Sequence, residues 1–234
     1  ARTASAVNRM PGASLKGIGA YFACFGGAAP DGAKMIELVA LADKVERACG
    51  RRLETISGGN SASLCWALEQ TDVGRINDLR LGEAILLGVD PLSGRQFDGL
   101  FTDAFTLYAQ VIESKNKPGA PSGPVGFPGA QENAVLALRL QIWRSILAIG
   151  HQDTDLAGLT LPTGLLNLGG TSDQFVVETA GGSLPIGAEI ALRPNYSVLM
   201  RVMNARGITK DLRNRGPQGK AGASDRDPPV LALA

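Results

Sequence analysis

Two stretches carry the residue types and spacing from which a binding site can be built: ISGGNSASL over residues 56–64 and LRLGEAILLG over residues 79–88. In the first, an apolar strand ending runs into Gly58, Gly59, Asn60 and Ser61 before a helical pattern. A strand that turns through such residues into a helix presents free backbone N–H groups at a positive helix end, which suits phosphate. The glycines let the backbone approach closely, and a serine hydroxyl adds a donor. The alternative is a plain strand-to-helix turn with Asn60 or Ser61 as the N-cap. It is not a P-loop, because no Lys-Ser or Lys-Thr pair follows at the required spacing. The second stretch offers another turn, at Gly82 and Glu83, just after Arg80. An arginine flanked by apolar residues is either a surface ion pair or a fixed cation at the top of a sheet.

Other groups with chemistry stand alone. His151 is the only histidine, and its ordinary pKa lies near neutrality, so it is either a surface residue or a proton-exchanging one. Cys24, Cys49 and Cys65 have neither an even count nor metal-ligand spacing, and read as buried, reduced thiols of a cytoplasmic protein. The seven lysines are Lys16, Lys34, Lys44, Lys115, Lys117, Lys210 and Lys220.

These residues need elements to hold them. The chain has 234 residues, 44% of them hydrophobic and 19% charged, with 30 glycines and 13 prolines. That is globular composition with high loop content. A net charge of +1 gives no electrostatic reason to expect nucleic acid or an anionic membrane as partner. No stretch is apolar for the roughly 18 residues a membrane span needs.

LKGIGAYFACFGG over 15–27 reads as a strand apolar on both faces. In the stretch after it, Met35, Leu38, Ala42, Val45 and Cys49 recur at helical spacing, with Asp31 placed as N-cap and Gly50 as the αL stop. RRLETISGG and SASLCWALEQ read as a second strand and helix, and INDLRLGEAILLG as a third strand-turn unit. This order predicts a buried parallel sheet. The pattern changes near Asp90. From there to residue 212, short strands with turns predict a β-rich domain, with a loop at 118–130 and AEIALRPNYSVLMRVM read as strands. From about Asn214 the chain lacks large apolar residues and reads as a disordered tail. The expected domains are thus 1–90, 91–212 and 213–234.

With these segments in view, the chain resembles the alanine racemase type of pyridoxal-phosphate enzyme, and in particular its alanine/ornithine racemase branch. SGGNSASL paired with INDLRLGEAILLG looks like that branch's motif pair. LGGTSDQFVV is similar to a Ser-Met-Asp-Gln segment of alanine racemases, AIGHQDTD to their Gly-Tyr-Ala-Asp loop, and KGIGAYFACFGG to the strand before. The likeness covers about residues 14–212. It implies the C-terminal part of an α/β barrel followed by a β-rich domain, and two-base racemisation of a small free amino acid by a cytoplasmic homodimer.

The resemblance also implies roles. Asn60 and Ser61 match the pair whose serine binds the phosphate of pyridoxal 5'-phosphate, and Gly82 and Glu83 the pair that offers it backbone N–H groups. Arg80 matches the arginine facing the pyridine nitrogen. A guanidinium has no acceptor and keeps its charge, so that nitrogen stays unprotonated and the ring is a weaker electron sink. Tyr21 matches a histidine that contacts this arginine, and Asp173 an aspartate near the substrate carboxylate. His151 stands where the family has the catalytic tyrosine supplied by the partner subunit, and Leu212 near a tyrosine that donates to the phosphate. The family's Schiff-base lysine ends the first barrel strand, and none of the seven lysines sits in a matching motif. Three of the eight strands of such a barrel are matched, so the expectation is a chain that lacks the N-terminal barrel half and is inactive alone. The competing expectation is an inactive remnant serving as a binding or dimerisation module. A barrel protein of cofactor homeostasis has no β-rich domain, and residues 91–212 weigh against it.

Overall fold

The computed structural model describes residues 1–23, 27–119 and 141–213. Cys24, the expected loop beyond residue 119, Lys220 and the expected tail from residue 214 lie outside the described residues. The chain divides into two compact units, Ala1–Ala104 and Phe105–Ala234, each taken here by itself.

In the first unit a short helix α1 (Arg2–Asn8) precedes strand β1 (Gly17–Gly19), helix α2 (Gly32–Cys49) and strand β2 (Thr55–Asn60). A 3-10 turn (Ser61–Ser63) leads into α3 (Leu64–Glu69), followed by β3 (Asp78–Arg80) and α4 (Glu83–Leu87). The sheet is parallel, in the order β1-β2-β3, and this bears out the parallel pattern. Helix α2 follows its sequence closely. The Asp31 side chain accepts from the Lys34 N–H, Gly50 adopts φ 65°, and Met35, Leu38, Ala42 and Val45 are buried. Together with Leu53, Ile56 and Ile76 they form the core of this unit, each large side chain contributing about 1.5–3 kcal/mol of burial.

Several local expectations change. The first strand covers only Gly17–Gly19 rather than 15–27. The second strand begins at Thr55 rather than Arg51; Gly58 and Gly59 lie inside it as RRLETISGG has them, and it runs on through Asn60. Space requires both glycines. A Cβ at Gly58 would come 2.7 Å from Ile76 Cγ2, and one at Gly59, where φ is +117°, 2.7 Å from Ser63 Oγ. The glycines therefore let the central strand pack tightly on both faces. Asn77 also braces β2, accepting from the Ile56 N–H at 2.8 Å and donating to the Glu54 carbonyl at 2.8 Å. Cys49 and Cys65 are free thiols, half-buried rather than buried.

The second unit is an antiparallel sheet of β4 (Leu107–Lys117), β5 (Ile142–Leu147), β6 (Leu159–Thr160), β7 (Leu165–Gly170), β8 (Phe175–Thr179) and β9 (Glu189–Pro194). The order is β6-β9-β4-β5-β8-β7. Along the first half of β4, buried Leu107, Ala109 and Val111 alternate with exposed residues, the period of a half-buried strand. Register shifts interrupt β4 between Val111 and Glu113 and β7 between Asn167 and Gly169. A row of hydroxyls crosses three strands: Ser114 Oγ lies 2.9 Å from Ser145 Oγ, and Ser145 Oγ 3.4 Å from Thr179 Oγ1. Ser114 Oγ also accepts from the Leu184 N–H at 3.0 Å and the Ser183 hydroxyl at 3.2 Å. The stretch from Tyr196 to Asn204, read as strand, is a helix, α5. The Asn195 side chain caps it by accepting from the Val198 N–H, and Val198, Leu199 and Val202 bury one face.

Candidate functional site

The residues singled out in the sequence fall into two clusters, one in each unit.

The first stands at the carboxyl ends of β2 and β3, where Asn60 pairs with Arg80 in the sheet. Open parallel sheets bind ligands at this end. Ser61, 5% exposed, holds the turn together. Its Oγ accepts from the Gly82 N–H at 3.1 Å and the Ala84 N–H at 3.1 Å. A hydroxyl has two lone pairs and one proton. With both lone pairs occupied, Ser61 is left as a donor, the polarity an anionic oxygen requires.

Gly82 is thereby committed to Ser61. The next donor, the Glu83 N–H, stands at the first position of α4 and has no acceptor among the described residues. Helices of six and five residues add little dipole, so this loop favours an anion through its separate donors rather than through a long helix. Ser63 supplies one further polar group: its Oγ is buried and finds no partner. Opposing them is the Glu83 carboxyl, whose pKa is raised by burial and then by the nearby charge of Asp90. The donor set and the orphaned hydroxyl fit a phosphate.

Asn60 is a clamp. Its Nδ2 donates to the Phe22 carbonyl at 2.9 Å and its Oδ1 accepts from the Ala62 N–H at 3.2 Å, so both ends of the amide are used in tying the segment after β1 to the turn. Arg80 lies back across the sheet. Its guanidinium donates to the Ser57 hydroxyl and, at 2.6 Å, to the Ala20 carbonyl. Tyr21, next to Ala20, is 65% exposed. Ser57 and Gly19 escaped the sequence reading. They support Arg80 only because β1 and β2 pair in a register that sets Gly19 beside Ser57, and no linear motif encodes that. Lys16 precedes β1, at the opposite end of the sheet, and pairs with Glu54 at 2.7 Å.

The second cluster is a pair of facing turns in the second unit. The His151 N–H donates to the Thr171 carbonyl at 2.9 Å, and the Gln152 N–H to the Ser172 carbonyl at 2.8 Å. Asp173 follows directly, accepting from the hydroxyls of Thr171 and Ser172 at 3.1 Å each. His151 and Asp173, 22 positions apart in the chain, are thus held on neighbouring turns, both exposed. Leu212 is 98% exposed. Among the described residues no group of three or more His, Cys, Asp or Glu side chains forms a metal site, and no helix is long and apolar enough to cross a membrane.

Sequence and fold together relate this chain to the alanine racemase-type proteins, on the amino-acid racemase side of that group. It is 36% identical over 202 residues to a lysine racemase of Thermotoga maritima, a match covering 85% of this chain and 57% of the relative. It is 31% identical over 208 residues to an ornithine racemase of Acetoanaerobium sticklandii, covering 87% and 59%. The chain thus spans under three fifths of the length of the curated relatives it matches. The fold is similar to that of a D-threonine aldolase from Filomicrobium marinum, with a TM-score of 0.53 at 14% identity over 86% of this chain and 50% of that one. It is similar also to the biosynthetic alanine racemase of Pseudomonas aeruginosa, with a TM-score of 0.51 at 18% identity over 88% and 56%. No family model matches the chain.

Proposed function

We propose that this chain is the C-terminal portion of a pyridoxal-phosphate-dependent racemase of a small free amino acid. On this reading the parallel sheet is a piece of an α/β barrel and the second unit is its β-rich domain. The observation that carries the reading is the Ser61 hydroxyl, held by Gly82 and Ala84 so that only its proton is left to give. The sequence relationship to lysine and ornithine racemases supports reading this anion site as one for a cofactor phosphate.

Bound there, the cofactor would withdraw electrons from the substrate's α-carbon and so acidify its proton. Ser61 and the Glu83 N–H would hold the phosphate, while Asn60 keeps the turn closed. Arg80, permanently charged and anchored on Ser57 and Ala20, would face the ring nitrogen without offering it an acceptor. His151 would exchange the proton on one face of the α-carbon, with Asp173 beside it on the facing turn. The substrate class is a free amino acid. We read the protein as a cytoplasmic homodimer in which the second unit serves the partner's site.

The test has two parts. Equilibrium dialysis of the chain with pyridoxal phosphate should show saturable binding that Ser61→Ala weakens; no difference between the two proteins overturns the phosphate assignment. The protein that carries this chain, given L- or D-lysine, ornithine or alanine in deuterium oxide, should place deuterium at Cα in both enantiomers. Cleavage of β-hydroxy amino acids without such exchange would instead favour an aldolase.

A further inference from the structure

The turn that carries His151 is braced by more than its neighbour. The Asp153 carboxylate accepts from the Gly150 N–H at 3.2 Å, while the N–H groups of Asp153 and Thr154 donate back to the Gly150 carbonyl at 3.0 and 3.1 Å. Behind it, Thr154, fully buried, directs its hydroxyl to the Val198 carbonyl on α5 at 3.5 Å. In front, the His151 and Gln152 N–H groups dock on Thr171 and Ser172. Gly150 fits against Ser172 and Asp173 so closely that a Cβ there would overlap their backbone. Every backbone bond in this set fixes the path of the chain. Asp153 is the one side chain that closes the turn on itself, by bonding the amide immediately before His151.

We infer that Asp153 is a positioning residue for His151: its carboxylate locks residues 150–154 into one turn and so fixes the backbone that carries the imidazole, on the turn facing that of Asp173. Without that acceptor the Gly150 N–H loses its partner, and glycine, the least restrained residue, sits at the hinge. The turn then samples several conformations, and a proton-exchanging group that wanders by an ångström loses much of its rate. This inference rests on the reading of His151 as the proton-exchanging group, but its first test does not.

The full chain contains a single histidine, so every imidazole signal in its NMR spectrum reports on His151. In Asp153→Ala, amide hydrogen exchange at His151 and Gln152 should quicken by about tenfold or more, with the imidazole signal broadened. Asp153→Asn retains a carbonyl oxygen able to accept the same N–H and should keep the parent's exchange and line width. In the active protein, Asp153→Ala should lower kcat with little change in KM, and Asp153→Asn should restore most of it. Unchanged exchange in Asp153→Ala overturns the inference, as does Asp153→Asn behaving like Asp153→Ala. Should Asp153→Ala not fold, the asparagine variant still decides the matter by keeping or losing the parent's exchange. Separately, a His151→Phe protein racemising at the parent rate overturns the role of His151 itself while leaving the exchange result to judge the turn.

Discussion

Arg80 passes over Gly19. A Cβ on that glycine would lie 2.9 Å from the guanidinium Nη1 and 2.9 Å from Ser57 Cβ. The arginine can yield, being the tip of a flexible side chain, whereas Ser57 sits in the central strand and cannot. Gly19→Ala should therefore push Arg80 off its Ser57 and Ala20 acceptors and destabilise the first unit by about 1–3 kcal/mol. Urea denaturation reads the second effect and the absorbance of added pyridoxal phosphate the first. A variant with the parent's midpoint and spectrum would show that the two residues do not constrain each other.

Ser61→Ala removes the acceptor of two backbone N–H groups at once. Leaving such donors unpaired in a buried turn should cost about 1–3 kcal/mol. Affinity for pyridoxal phosphate should fall by about tenfold, equivalent to about 1.4 kcal/mol. Parallel denaturation and binding titrations separate the two losses. A destabilised protein with unchanged affinity would make Ser61 a cap and nothing more.

In the second unit, hydrogen bonds from Lys115 and then Lys117 hold the Glu113 carboxyl down to about 2, from an ordinary 4.5. Between those values the unfolded chain binds a proton that the folded chain refuses, so stability rises with pH there. The contribution is complete above about pH 4.5 and disappears as the pH falls through 2. Unfolding followed from pH 5 to 2 should show this slope, flattened in Glu113→Gln and reduced by salt. Equal slopes in both proteins would mean that the lysines do not hold Glu113.

Gly150→Ala would drive a Cβ into the backbone of Ser172 and Asp173, which cannot move aside as a side-chain tip does. The two turns should part, with a stability loss of about 1–3 kcal/mol and a shifted His151 imidazole resonance. A spectrum superimposable on the parent's would show that the turns need no such fit.

What was legible in the sequence depended on whether the signal was local. Helix α2 announced itself through Asp31, Gly50 and four apolar positions at helical spacing, all of which act within one element. Helix α5 did not, although Val198, Leu199 and Val202 stand at helical spacing, because its cap Asn195 follows a strand directly and its valines read as a continuation of that strand. Ser61 was found through its place between glycines and a helical pattern. Its true partners, Gly82 and Ala84, lie across a strand crossover, so the direction of its bonding became visible only in the fold. Ser57 looked like any small residue within a strand; its meaning comes from the register that aligns it with Gly19. The pairing of His151 with Asp173 likewise follows from the facing turns after β5 and β7.

The hydroxyl row of the second unit is anchored by one donor that cannot reverse, the Leu184 N–H on Ser114 Oγ. The Ser183 proton has two acceptors within reach, Ser114 Oγ and the Leu184 carbonyl. From Ser114 to Ser145 to Thr179 each hydroxyl can give or take the shared proton. Because no member ionises near neutrality, this seam should stay uncharged over the whole range in which carboxylates and imidazoles elsewhere change charge.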